Sequence, residues 1–208
     1  MAKAPLYVHI LLDRSGSMED CRDETISAFN EYLGALTASK DADARITLTT
    51  FDSESQDIVF ELKPVAETPK LTRETFVPRG MTPLMDAVGR AVAHTDNALL
   101  RENEKVSLVV LTDGMENAST EYNKASVKAL LEGRQKDKGW QIVFLGADQA
   151  AWAQGATMGA TVGTSLQFSK RSMRKTFEAV TRTQEAYAQG RMNEAAFTDE
   201  ERRDANKD

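Results

Sequence analysis

Residues 6–17 read LYVHILLDRSGS, and this stretch decides the fold. The first seven positions are apolar or aromatic apart from one histidine, and the run stops at Asp13. A nearly continuous apolar run of this length is typical of a central parallel strand that is covered on both faces. We therefore predict a buried strand over residues 6–12, followed by a polar loop that begins at Asp13.

Alternating strands and helices follow from the remaining periodicity, which indicates an open, doubly wound α/β sheet. Residues 44–51 and 57–62 are short β-branched and aromatic runs joined by a polar turn, which predicts a hairpin and therefore an antiparallel edge strand. Pro83 fits the first position of a helix that Thr82 would cap. The other predicted strands are residues 106–111, 141–145 and 160–168, and the predicted helices cover residues 21–36, 83–99, 119–136, 150–155 and 171–189.

The 208 residues are enough for one full-sized domain, which we place at residues 1–190. Residues 191–208 form a charged tail, in which residues 193–208 contain Phe197 as their one large apolar residue and are predicted to be loosely held or disordered. Thr198 and Glu201 have the spacing of a capping box, which allows one helical turn there.

The charge and the cysteine content limit the cellular compartments and the classes of partner that fit this chain. The net charge of -6 disfavours binding to nucleic acid or to an anionic membrane surface. No apolar run reaches the roughly 20 residues that span a bilayer, and residues 1–7 lack the pattern of a secretory signal. The single cysteine, Cys21, cannot form an internal disulfide and fits a reducing compartment. We therefore expect a cytoplasmic location.

Hydroxyl and carboxylate side chains gather where the buried strands end. Asp13, Ser15 and Ser17 occupy alternate positions in the loop after the first strand, and Asp113 follows the strand at residues 106–111. Thr82 lies in a loop shaped by a neighbouring glycine and proline, which could bring its hydroxyl to the same edge. Two carboxylates and three hydroxyls are hard oxygen donors, which suit Mg²⁺, tolerate Mn²⁺ and make a zinc site improbable.

In these motifs the chain resembles the von Willebrand factor type A domain family. The resemblance rests on DRSGS at 13–17, RGMTPL at 79–84 and LTDG at 111–114, and it covers roughly residues 5–190. It implies a Rossmann-like, mostly parallel six-stranded sheet of order 3-2-1-4-5-6 with strand 3 antiparallel, and a complete metal-ion-dependent adhesion site. The chain looks like a small stand-alone member of prokaryotic or phage origin.

The resemblance also implies how the site would work. Ser15 and Ser17 would bind the ion directly, whereas Thr82 and the two aspartates would change between direct and water-mediated contact as a partner's carboxylate arrives. The expected partner is a protein that supplies an Asp or Glu. The residues flanking the ion would form a rim that selects the partner, unless they are an ordinary solvated surface; they are Arg14, Arg79, Met81, Met115, Glu116 and Asn117.

Two other interpretations remain open on the sequence alone. An isolated DxSxS segment can be a simple turn, because Asp and Ser side chains bond to their own backbone. A Mg²⁺-dependent hydrolase could instead use Asp13 as the nucleophile of phosphoryl transfer. Such an enzyme would need a second acid or base near Asp13 and a phosphate-binding lysine, and position 15 is a serine where a haloacid-dehalogenase-type motif carries an aspartate. We therefore expect an interaction module without catalytic activity of its own.

Overall fold

The computed structural model describes residues 3–192 and 195–207. These residues contain one six-stranded sheet. The strands are β1 Ala4–Asp13, β2 Ala42–Phe51, β3 Gln56–Pro64, β4 Lys105–Thr112, β5 Gln141–Gly146 and β6 Ser165–Gln167. Their order is β3-β2-β1-β4-β5-β6, and only β3 runs antiparallel to its neighbour. The predicted fold class, strand order and antiparallel edge are confirmed.

Helices cover both faces of the sheet. The α-helices among the described residues are α1 Arg22–Ala38, α2 Leu84–Asp96, α3 Lys124–Lys138, α4 Gln149–Thr157, α5 Met173–Ala188 and α6 Asp199–Ala205. Alternate residues of β1 face opposite layers: Leu6 and Ile10 pack into the core that contains α1 and α5, whereas Tyr7 and Leu11 pack into the core with α2 and α3. This two-sided burial explains why β1 is apolar at almost every position.

His9 is the polar exception in β1, and its environment keeps the ring neutral. The ring is fully buried, with Nδ1 2.7 Å from the Thr95 hydroxyl and Nε2 2.8 Å from the Thr49 hydroxyl. Burial, together with the neighbouring His94, lowers the pKa of His9 to about 3. Both ring nitrogens are therefore satisfied without charge, which makes this histidine compatible with a central strand.

Three predicted boundaries are wrong. α3 begins at Lys124 rather than at residue 119, because Asn123 and Ser126 form a capping box there. The last strand is limited to Ser165–Gln167 instead of extending over residues 160–168. α2 begins at Leu84 with Pro83 as its N-cap, so Thr82 does not cap the helix.

The prediction of a loosely held C-terminal tail is also wrong for the part that the structure describes; Asn193, Glu194 and Asp208 lie outside it. Phe197 is only 6% exposed, and the Arg202 guanidinium donates to the carbonyl oxygens of Val162 and Ser165 at 2.7 and 2.8 Å. Thr198 and Glu201 do form a capping box at the start of α6. Arg202 binds backbone carbonyls that are far from it in the sequence, and no local sequence pattern indicates such contacts.

Deletion of residues 191–208 should therefore lower the melting temperature. Burial of Phe197 alone contributes about 2–3 kcal/mol, and 1 kcal/mol corresponds to about 2–4 °C in a domain of this size, so we expect a decrease of about 4–12 °C. Thermal unfolding followed by circular dichroism measures the effect. Met192→Ala is a matched control, because Met192 is 60% exposed and its loss should change nothing measurable. An unchanged melting temperature after the deletion would mean that α6 contributes no packing.

Candidate metal centre

Three loops meet at the carboxyl edge of the sheet, and backbone hydrogen bonds hold the first two together. We call them the first loop (13–17), the second loop (79–83) and the third loop (112–117). The Arg79 amide donates to the Arg14 carbonyl at 2.8 Å, and the Gly16 amide donates to the Gly80 carbonyl at 3.1 Å. Gly80 has a φ of 64°, a left-handed conformation that suits glycine. The turn at Gly80 thus brings the second loop against the first.

A reciprocal pair of bonds joins the second and third loops. The Thr82 amide donates to the Asn117 side-chain oxygen at 2.9 Å, and the Asn117 amide donates to the Thr82 carbonyl at 3.1 Å. Thr82 is only 3% exposed. Its position is therefore determined by the third loop rather than by α2.

Asp13 lies at the junction of β1 and β4 and is fully buried. One carboxylate oxygen accepts from the Thr112 hydroxyl at 2.6 Å, and the other accepts from the Ser15 amide at 2.7 Å. Burial raises the pKa of Asp13 to about 6; the bonds from Thr112 and Ser15 oppose this rise, and the nearby Asp113 adds to it. A cation at this place would offset the cost of burying the charge.

The remaining predicted ligands lie next to Asp13. The Ser15 and Ser17 hydroxyl oxygens are 3.3 Å apart, and the Ser17 hydroxyl donates to Asp113 at 2.7 Å. A methyl group added at Gly114 would lie 3.1 Å from the Thr82 hydroxyl and 3.7 Å from the Ser17 hydroxyl. Both hydroxyls therefore border the same small space, which a larger side chain at position 114 would enter. Short contacts thus link Ser15, Ser17 and Asp113, Thr82 borders the same space, and Asp13 joins the cluster through the Ser15 amide.

The chemistry of this cluster fits a hard divalent cation. Across residues 3–192 and 195–207, no group of three or more His, Cys, Asp or Glu side chains is placed so that it could hold a metal ion. The candidate centre instead combines two carboxylates with three hydroxyls. Asp113 Oδ2 is buried without a well-directed hydrogen bond, as expected for an atom that faces a cation.

Lys170 is a residue of this site that was not predicted from the sequence. Its ammonium lies 2.7 Å from Asp113 Oδ2. Partial burial would lower the pKa of Lys170, but the contact with Asp113 outweighs this and raises it. The order of the strands could have indicated this residue. Lys170 comes shortly after β6, so it lies at the same carboxyl edge of the sheet as the other site residues.

Arg14 does not belong to an open rim, contrary to expectation. Its guanidinium is largely buried and pairs with Asp52 at 2.7 Å and with Asp57 at 2.8 Å. Arg79 shares the Asp52 carboxylate at 3.1 Å, although 41% of its side chain stays exposed. Hydrogen bonds from Ser55 and Glu54 amides and from these arginines outweigh burial and lower the pKa of Asp52. The two arginines brace the first and second loops.

Glu116 and Asn117 are likewise used inside the molecule. The Glu116 carboxylate accepts hydrogen bonds from the amides of Met85, Ala118 and Ser119 at 2.8–2.9 Å, while Asn117 holds Thr82 as described above. Met81 and Met115 are 54% and 50% exposed, and Arg79 and Asn117 are also exposed. The accessible rim therefore combines two methionines with one arginine and one asparagine.

Asp52→Ala should destabilise the fold much more than Asp57→Ala. Asp52 has no exposed side-chain surface, and its removal leaves the buried Arg14 without its closest partner, which costs about 3 kcal/mol. Asp57 is 51% exposed, so its loss should cost less than about 1 kcal/mol. Urea denaturation of both variants measures the difference. Equal effects would contradict the bracing role of Asp52.

The family of the chain is now clear. Residues 8–183 match the family model of the von Willebrand factor type A domain, and the chain belongs to this family. No curated protein sequence matches it significantly.

Several solved structures share the fold. The vWF domain of the type V pili tip protein Mfa5 from Porphyromonas gingivalis aligns with a TM-score of 0.65 at 10% identity, covering 88% of this chain and 96% of that one. Proximal thread matrix protein 1 from the mussel byssus aligns with a TM-score of 0.64 at 15% identity over 88% of this chain. The match covers 47% of the mussel protein, so this chain spans about half its length.

Two related structures carry metals. Manganese-loaded TRAP protein from Plasmodium vivax aligns with a TM-score of 0.57 at 17% identity, covering 85% of this chain and 74% of that one. The mussel protein has also been solved with a zinc-occupied MIDAS motif; that structure aligns with a TM-score of 0.61 at 15% identity, covering 90% of this chain and 47% of that one. At these identities the likeness shows the fold alone.

Proposed function

We propose that this chain is a metal-dependent protein-interaction module, which binds an Asp or Glu of a partner protein through Mg²⁺ or Mn²⁺. The observation that carries the proposal is the meeting of two carboxylates and three hydroxyls at one edge of the sheet, where the Ser17 hydroxyl lies 3.3 Å from that of Ser15 and donates to Asp113 at 2.7 Å. The proposed ligands are Asp13, Ser15, Ser17, Thr82 and Asp113, which would make the adhesion site complete.

The ligand set explains why such a centre would capture an acidic group. The bound ion would supply an electrophilic docking point with room for one further anionic oxygen. Two carboxylates cancel a divalent charge, and neutral hydroxyls from Ser15, Ser17 and Thr82 add no further negative charge that would repel a partner's carboxylate. Because backbone bonds between the loops fix these side chains, little reorganisation would be needed on binding.

Other features support a protein as the partner. Met81 and Met115 present flexible apolar side chains beside the centre, and such surfaces adapt to a partner's shape. The net charge of -6 disfavours nucleic acid and anionic lipid. No helix of the described residues is long and apolar enough to cross a membrane. The lone Cys21 is buried and compatible with the reducing environment of a cytoplasm, which is the location we propose.

The metal-bearing relatives support divalent-cation binding in general. The structures of the mussel protein and of TRAP hold zinc and manganese respectively. Our preference for Mg²⁺ or Mn²⁺ rests on the all-oxygen donor set of this chain.

The geometry disfavours the alternative of a phosphoryl-transfer hydrolase. A nucleophilic carboxylate must reach a substrate phosphorus, but Asp13 is fully buried and both of its oxygens accept hydrogen bonds. Lys170 lies near enough to serve as a phosphate ligand, but it pairs with Asp113. We therefore propose a non-catalytic role.

Metal binding by the purified chain provides the first test. Calorimetry with Mn²⁺ and Mg²⁺ should show one site, and Asp13→Ala should abolish it, because the ion then keeps half of its charge uncompensated. Asp137→Ala is a matched control, since Asp137 is an exposed residue near the end of α3. Circular dichroism should show that both variants fold. Equal metal binding by Asp13→Ala and the native chain would refute the ligand assignment.

Partner binding provides the second test. A partner captured from the native host in Mg²⁺ should be released by EDTA and lost in Asp13→Ala, and exchange of one acidic residue on the partner should have the same effect. Thr82→Ala should weaken the complex more than it weakens metal binding, because the serines and carboxylates still hold the ion. Metal-dependent hydrolysis of phosphoesters by the chain alone, lost in Asp13→Ala, together with complexes that survive EDTA, would favour the enzyme instead.

A further inference from the structure

Lys170 reaches into the candidate metal centre from an element that carries none of the five proposed ligands. It begins the 3-10 helix Lys170–Ser172, which follows β6. Its ammonium lies 2.7 Å from Asp113 Oδ2 and donates to the Ser17 carbonyl at 3.1 Å. The more distant Asp20 carboxylate is 3.8 Å away. One ammonium thus contacts two of the residues assigned to the metal.

The position of Lys170 is fixed by the C-terminal helix. The Ser169 amide donates to the Ala205 carbonyl at 2.7 Å, and the Ser172 hydroxyl donates to the Lys207 carbonyl. These bonds flank Lys170 on both sides and tie its turn to the end of α6. About a third of the lysine side chain remains exposed, so it has room to move aside while its backbone stays in place.

The contact places a monovalent charge where a divalent cation would bind. Asp113 uses one oxygen to accept from Ser17 and presents the other to the ammonium. That second oxygen has no other partner among the described residues. A metal that binds this oxygen must either displace Lys170 or tolerate its positive charge at close range, and both cost free energy.

We propose that Lys170 is a sixth functional residue of the metal centre, an internal cation that pairs with Asp113 and competes with the divalent ion for it. The inference rests on the proposed metal-binding function. Lys170 lowers the affinity for the metal and stabilises the metal-free centre, where two aspartates otherwise face each other uncompensated. It thereby sets the metal concentration at which the chain becomes able to bind a partner.

Replacement of Lys170 by methionine tests the competition with Mn²⁺ as the probe. Lys170→Met keeps most of the apolar stem and removes the charge, so Mn²⁺ should bind on the order of tenfold more tightly, as expected from loss of a partly exposed ion pair. Isothermal titration calorimetry on the full chain measures this. Lys175→Met is the matched control: Lys175 is an exposed lysine paired with Glu178 on α5, and its loss should leave the affinity unchanged.

Unfolding measurements give a second readout, which an indirect structural effect would not reproduce. In EDTA, Lys170→Met should melt below the native chain, because Asp113 then lacks a counter-ion. In saturating Mn²⁺ the difference should disappear or reverse, since the metal supplies that charge. Lys170→Gln, which retains a hydrogen-bond donor without the charge, serves if the methionine variant does not fold, with the same expected increase in affinity.

The outcomes separate this inference from the function on which it rests. Native-like or weaker Mn²⁺ binding by the folded Lys170 variants, while the native chain binds Mn²⁺, overturns the role of Lys170 and leaves the metal site intact. The same increase in Lys175→Met also overturns it, because the effect would then be one of general charge. If neither the native chain nor any folded variant binds Mn²⁺, the proposed metal site is overturned. The proposed competition between Lys170 and the metal is then overturned as well.

Discussion

The hydrogen bond from the Thr112 hydroxyl to the buried Asp13 carboxylate joins the ends of β1 and β4, and the candidate site is built around it. Leu12 pairs with Leu111 in parallel register, so the next residue of each strand arrives at the same edge. A carboxylate without exposed surface needs donors, and it finds one on the neighbouring strand and one in its own loop. The same requirement makes the edge attractive to a cation.

Two kinds of positive charge balance the acidic residues around this edge. Asp52 lies behind the loops and is neutralised by Arg14 and Arg79, so that pair is part of the scaffold. Asp113 faces the centre, and its one ionic partner among the described residues is Lys170, whose side chain is a third exposed and can move aside. The first arrangement fixes the loops. The pairing of Asp113 with Lys170 leaves a carboxylate oxygen that a divalent cation can bind. The charges around Asp52 are therefore structural, whereas those around Asp113 are functional.

Local patterns were sufficient to predict the core of the fold and the edge of the sheet at which the proposed ligands lie. The apolar run of β1, the polar loop after it and the TDG segment after β4 are each contiguous, and parallel strands bring their carboxyl ends to one edge. Rim residues were predicted less well, because side chains next to a site in sequence can turn inward, as those of Arg14 and Glu116 do. The position of Lys170 and the packing of α6 depend on contacts between segments that are far apart in the sequence. No periodic pattern along the chain indicates such contacts.

Anomalous diffraction from crystals grown with Mn²⁺ tests most directly whether the five oxygen-bearing side chains form one cation site. We predict a single strong peak at the carboxyl edge, within about 2.0–2.5 Å of the Ser15 and Ser17 hydroxyl oxygens, with the Lys170 ammonium moved away from Asp113. An empty cluster at saturating Mn²⁺, with Lys170 still paired to Asp113, or a peak on other residues, would contradict it.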